Sequence, residues 1–187
     1  LPYSYARHSP ACTLCFEALG NTSRFSGKGW DPDDIERQRV WVFNTIDTRF
    51  NRRLEMGETI NPAEFVRTNL PDYFTLNGLS GYDAAHDEAT VPKGFIGEPL
   101  LIRSLNVGLA THAPHIHGNH VFLLSDRRAE DDGVFLNTSI LELDTWMLRP
   151  MDRKDVLLPF EIPPDIPRAA WPPRDEPFPL RYPMHCH

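Results

Sequence analysis

Cysteine is scarce: Cys12, Cys15 and Cys186 are the only three in 187 residues, too few for a disulfide framework, so each has to be read for its own chemistry. No apolar run approaches the about 18 residues that cross a bilayer as a helix. The chain starts at Leu1 with no basic segment and apolar stretch behind it, so no targeting peptide is recognisable and the expectation is a soluble chain, either processed or part of a longer one. Positive charge is in deficit as well. With 19 Lys and Arg against 26 Asp and Glu the net charge is -7, and no local basic cluster offsets it, which argues against nucleic acid as a partner because phosphates would be repelled at long range. Internal repeats are absent, so one core is expected.

Proline is abundant. Its 18 copies are roughly twice ordinary usage, and since proline breaks helix interiors this favours strands, turns and irregular connections. Hydrophobic residues at 41% and charged residues at 24% suit a globular fold. Residues 1–37 show no sustained period and are expected to form an irregular arm or the end of a preceding domain; a domain then runs over 38–187. Val40-Trp41-Val42-Phe43 is β-branched and aromatic, a first strand. Asn61-Pro62-Ala63-Glu64 carries an N-cap residue, proline at the first helical position and Glu at the capping-box position, predicting a short helix to about Arg67. Tyr73 to Leu76 closed by Asn77-Gly78, Pro99 to Leu105, Val121 to Leu124, Asp144 to Leu148 and Val156 to Phe160 are further short strands bounded by turn residues. Recurring prolines from Glu161 to Pro183 predict an extended crossover, and Leu180 to His187 a last strand. The pattern is that of an all-β sandwich or barrel.

Six of the eight histidines fall into two tight groups, His112-Ala113-Pro114-His115-Ile116-His117-Gly118-Asn119-His120 and His185-Cys186-His187. Apolar packing does not reward alternate histidines, whereas imidazole is the commonest metal ligand. On a strand, successive side chains point to opposite faces, so His185 and His187 share one side and the Cys186 thiol lies on the other. One tripeptide can thus serve two metal sites. A thiolate with imidazoles selects copper for one-electron transfer, and several imidazoles together suit copper where dioxygen enters. His115 and His117, two apart, can face the same site, while His112 can turn with Cys186 to a separate one. His8 and His86 are expected to be ordinary structural or surface groups.

These residues resemble the last cupredoxin domain of the multicopper oxidase family, which carries His-Pro-x-His-x-His-Gly and a later His-Cys-His. The resemblance extends to Phe74-Thr75-Leu76-Asn77-Gly78, to Gly97-Glu98 before a strand with Arg103, and to Asp144-Thr145, and covers roughly residues 38 to 187. It implies a cupredoxin-like Greek-key β-sandwich, incomplete at its C-terminal end, in a copper-dependent oxidase of laccase-like type located in the periplasm or outside the cell. His112 and Cys186 would be type 1 copper ligands, His115 a type 2 ligand, and His117, His185 and His187 type 3 ligands, with His120 structural. A small reducing substrate or metal ion would supply electrons, dioxygen would accept four of them, and domains missing from this chain would provide the remaining ligands. The sequence departs from the family in placing Ala113 directly after His112, with proline one position later; the histidine spacing is unchanged.

Two other readings exist. His115-Ile116-His117-Gly118-Asn119-His120 resembles the His-x-His-x-Asp-His motif of zinc metallohydrolases, yet Val121 to Leu124 looks like a strand rather than a helix and zinc has no use for His185-Cys186-His187. A cupredoxin-type copper-binding or scaffold domain without oxidase activity is the second. Cys12 and Cys15 are taken as a structural or incidental pair, and the sequons at Asn21 and Asn137 as weak signals.

Overall fold

Alternation along Gln38–Ile46, strand β1, places Trp41 and Phe43 in the interior and leaves Val40 outside, the period-2 signature of a strand with one covered face. The computed structural model describes residues 37–93, 99–128, 136–160 and 183–187. After β1 come helices α1 (Thr48–Glu55) and α2 (Pro62–Thr68), strand β2 (Tyr73–Leu76), helix α3 (Gly81–His86), and strands β3 (Leu100–Asn106), β4 (Pro114–Ile116), β5 (Val121–Arg127), β6 (Leu136–Leu143), β7 (Arg153–Leu158) and β8 (Met184–Cys186). Six strands form one sheet in the order β2-β1-β3-β7-β5-β6, and β4 pairs with β8 in a second, two-stranded ladder. Among these pairings only β1 with β3 is parallel, which requires a long crossover; α1, α2, β2 and α3 supply it.

The core lies between the sheet and the β4–β8 ladder. Trp41, Phe43, Leu100, Ile102, Val121, Leu123, Val156 and Leu158 of the sheet pack with Ile116, Trp146 and Leu148, and Met184 rests against them. Trp41 and Trp146 stack with centroids 6.2 Å apart. Their indole N–H groups are both satisfied, one by Thr90 O at 2.8 Å and the other by Ser104 Oγ at 3.3 Å, as buried polar groups require. Full burial of a side chain such as Ile116 or Leu148 is worth about 1.5–3 kcal/mol, so the small ladder is anchored by its inward residues. The central strands β3 and β7 are also covered on their other face at one end, where Leu101 and Leu157 pair and are both buried.

Local signals explain several elements. Asn61 accepts hydrogen bonds from Ala63 N at 2.8 Å and Glu64 N at 3.3 Å, with Pro62 opening helix α2; Glu64 binds Arg53 at 2.7 Å. Asn77 and Gly78 both have positive φ, 54° and 81°, as a two-residue hairpin turn demands. The turn closes through Leu76 and Leu79, but Leu79 makes only an isolated bridge and no strand follows.

The structure differs from the sequence expectation at several elements. Helices α1 and α3 stand where no element was expected. Asp47 caps α1 by accepting from Arg49 N at 3.0 Å and also accepts from Leu70 N at 2.8 Å; the Arg49 guanidinium beside it holds its carboxyl well below the usual carboxylate range. Strand β6 was not anticipated, while Asp144 to Leu148, expected as a strand, forms only isolated bridges from Thr145 to His115 and from Leu148 to His112. Its alternation is real, with Trp146 and Leu148 buried and Met147 exposed. The ladder is interrupted because Trp146 donates to Pro114 O at 3.2 Å and Pro114 has no N–H to return. The last strand spans only Met184–Cys186 among the described residues. Residues 1–36 of the expected arm, with His8, Cys12 and Cys15, then Gly97-Glu98, and residues 161–182, which hold most of the expected crossover and the start of the expected last strand, lie outside the described residues.

Candidate metal centre

The β4–β8 register sets Pro114 opposite Cys186, His115 opposite His185 and Ile116 opposite Met184. Cross-strand partners share a face, so His115 and His185 stand together on the side away from the core, whereas Ile116 and Met184 turn inward. Two backbone bonds extend the arrangement beyond the ladder: His117 N donates to Pro183 O at 2.9 Å, and His187 N donates to Ala113 O at 3.0 Å. His117 and His187 thereby join the same face.

On this outer face the ring centroid of His115 lies 5.0 Å from His117, 5.3 Å from His185 and 5.2 Å from His187. His185 and His187 are 4.7 Å apart, and His117 and His185 5.0 Å. Nε2 of His185 and Nε2 of His117 approach to 2.9 Å, a separation suited either to one N–H donating to the other ring or to two lone pairs on one cation. The ligand atoms of His115, His117 and His185 all lie within 4.8 Å of one another. Metal–nitrogen bonds of about 2.0–2.1 Å reach across such a triad with small side-chain adjustments. His115 Nδ1 donates to Asp144 O at 2.9 Å, and an Asp144 carboxylate oxygen lies 3.3 Å away, which fixes the tautomer and leaves Nε2 free as the ligand atom.

The inner side is different. His112 is 4% exposed and is tied to Leu148 by reciprocal backbone bonds of 2.9 and 2.7 Å. Its ring lies 5.0 Å from Phe43 and 6.2 Å from Phe74. Burial pushes its pKa below the ordinary imidazole value, because the charged ring would lose its hydration there; the neutral ring keeps a lone pair for a metal. His112 Nδ1 stands 3.6 Å from Cys186 Sγ, within the span of two ligands of one ion at about 2.1 and 2.3 Å. His112 Nε2 is buried without a hydrogen-bond partner. Asn106, fully buried, organises the approach to His112: its side chain donates to Ala110 O at 2.7 Å and Leu148 O at 3.0 Å and accepts from Gly108 N at 2.9 Å. Gly108 passes so close to β1 that a Cβ there would lie 2.9 Å from Thr45 N.

Of the six candidate ligands, the structure gathers His115, His117, His185 and His187 on one side and His112 with Cys186 on the other, as strand alternation requires. The donor sets, imidazoles alone and imidazole with thiolate, both suit copper. His120 sits between Glu142 at 3.2 Å and Asp144 at 3.5 Å, and His86 stacks on Tyr82 at 3.8 Å. Sequence reasoning did not find the Asp144 carbonyl on His115, the rings of Phe43 and Phe74 against His112, or Asn106. No spacing rule marks them; only the Asp144-Thr145 likeness pointed in the direction of the first.

No protein-family model matches the sequence, and no curated protein matches it. Solved structures do. The blue copper oxidase from Nitrosomonas europaea superposes with a TM-score of 0.52 at 20% identity, over 67% of this chain and 34% of that one. The multicopper oxidase mgLAC superposes with a TM-score of 0.53 at 19% identity, over 80% of this chain and 37% of that one. The chain has the cupredoxin fold. It forms a partial β-sandwich and spans about a third of the length of the multicopper oxidases it resembles. No helix among the described residues is long and apolar enough to cross a membrane.

Proposed function

We propose that this chain is a cupredoxin part of a copper-dependent oxidase that takes electrons singly from a reducing substrate and passes four to dioxygen, forming water. The observation that carries the reading is the division of one tripeptide between two faces: Cys186 toward His112, and His185 and His187 toward His115 and His117. His112 and Cys186 would hold type 1 copper, His115 type 2 copper, and His117, His185 and His187 type 3 copper. When bound, copper supplies one-electron acceptance at the thiolate face and multi-electron reduction of dioxygen at the imidazole face.

The residues of this chain do the positioning. Cys186 is covalently continuous with both neighbouring histidines, so the two faces are joined by the shortest possible backbone. Phe43 and Phe74 limit water around His112, and Asp144 orients His115. The imidazole face would be completed by histidines from a further domain or partner chain, in keeping with the third of a multicopper oxidase that this chain spans. A periplasmic or extracellular setting goes with this reading.

The test is dioxygen consumption with a phenolic or metal-ion reductant. The polypeptide that contains this chain together with its completing domain is expected to consume dioxygen only when copper-loaded, and the 187-residue chain alone to consume none. Copper-independent hydrolysis, or zinc-dependent hydrolysis without dioxygen uptake, would contradict the reading. A protein that binds copper and shows the thiolate absorption band yet never consumes dioxygen would instead be a copper-binding scaffold.

A further inference from the structure

Ala113 sits between the His112–Leu148 bridge and the first residue of β4. Its carbonyl accepts from His187 N at 3.0 Å, and its N–H donates to Cys186 Sγ at 3.2 Å. Among the described residues, the other polar neighbours of that sulfur are His112 Nδ1 and His187 O, each at 3.6 Å. Among the described residues, the N–H of residue 113 is thus the nearest donor to the thiolate. Proline, which the related oxidase motif places directly after its first histidine, has no N–H to give.

We propose that Ala113 is a positioning residue whose N–H, directed at Cys186 Sγ, raises the reduction potential of the copper held by Cys186 and His112. This rests on the copper reading above. A hydrogen bond draws electron density from the sulfur. A thiolate with less density donates less strongly, and the cupric state loses more by this than the cuprous state, so gain of one electron from the reductant becomes easier. No bond is made or broken and no proton moves. The residue that distinguishes this sequence from the His-Pro pattern would therefore select for reductants that are themselves harder to oxidise.

The copper-loaded polypeptide, with its completing domain, is compared with its Ala113→Pro and Ala113→Gly variants by redox titration and visible absorption. Ala113→Pro removes the donor and keeps the carbonyl. It is expected to raise the oxidised-to-reduced ratio at a given potential about tenfold, equivalent to about 59 mV for one electron, and to move the thiolate-to-copper band to longer wavelength. Ala113→Gly keeps the N–H and is expected to leave both unchanged. A folded Ala113→Pro protein with unaltered potential and band overturns the proposal. Should that variant fail to fold, the copper–sulfur stretching frequency of the unsubstituted protein, measured in H2O and D2O, decides: a shift on deuteration supports the hydrogen bond, and none overturns it. Absence of any thiolate-to-copper band in the unsubstituted protein overturns the copper reading itself and the proposal with it, an outcome distinct from a band that does not respond at position 113.

Discussion

The two sides of the β4–β8 ladder are built from adjacent residues yet are different environments. Outside, His117 and His185 are exposed and face each other's imidazoles, and His115 beside them is bound to the polar Asp144. Inside, His112 is buried against Phe43 and Phe74, and its position depends on the Asn106 network and the core behind it. The contrast teaches that a strand can give neighbouring side chains different chemistry through its pleat alone. It also separates their dependence on the fold: His112 is held by packing, while Cys186, itself exposed, and the outer histidines are held by backbone register and, in the proposed oxidase, by ligands from elsewhere.

The sharpest way to break this comparison is to damage one face at a time. Cys186→Ser is expected to abolish the visible band of the copper-loaded protein completely while copper remains at the histidine face, because a hydroxyl cannot replace a soft thiolate. His117→Ala should do the reverse, retaining the band and losing copper outside. Spectra and copper counts on both variants check this; a band that disappears in His117→Ala would join the two faces into one site.

A smaller effect is expected from Asn106→Ala. Removing this buried amide leaves the Ala110 carbonyl and the Gly108 N–H without their partner and loosens the segment that leads into His112. Loss of about 2–4 kcal/mol in urea unfolding is expected, with the thiolate face disturbed and the outer histidines still able to bind metal. Unchanged stability would mean that this network does not hold the inner face.

The smallest effect concerns pH. Burial lowers the pKa of His112 in the folded protein from its ordinary 6.5, so the unfolded chain binds the proton more readily. The contribution is fully favourable to folding above that value and declines as pH falls below it, until the folded-state pKa is passed. In metal-free protein, His112→Gln should flatten the stability profile on the acid side relative to the unsubstituted chain. Identical slopes for the two proteins would argue against a buried neutral ring.

Much of this was legible in the residues. Alternation in Val40 to Phe43 and in His185-Cys186-His187 located β1 and both faces of the site, because the strand period acts locally and needs no partner to be read. Asn61-Pro62 and Asn77-Gly78 announced a helix start and a turn for the same reason. What could not be read depended on distant residues. Nothing in Asp144 to Leu148 alone reveals that its pairing partner is the segment around Pro114, whose missing N–H breaks the ladder. Helix α1 owes its position to the cap by Asp47 and to the ring contact between Phe50 and Phe65 at 4.9 Å. Arg53 adds an ion pair with Glu64 across eleven positions. The aromatic wall around His112 joins Phe43 and Phe74 across the β1–β2 pairing, so neither position is visible from the histidine motif.

The central claim is that one tripeptide serves two separate copper sites, and anomalous X-ray scattering at the copper edge from crystals of the copper-loaded polypeptide tests it most directly. One peak is expected between Cys186 Sγ and His112 Nδ1, and at least one more among His115, His117 and His185 on the opposite side of the β4–β8 ladder. A single peak shared by Cys186 and His185, or density only on one side, would contradict it.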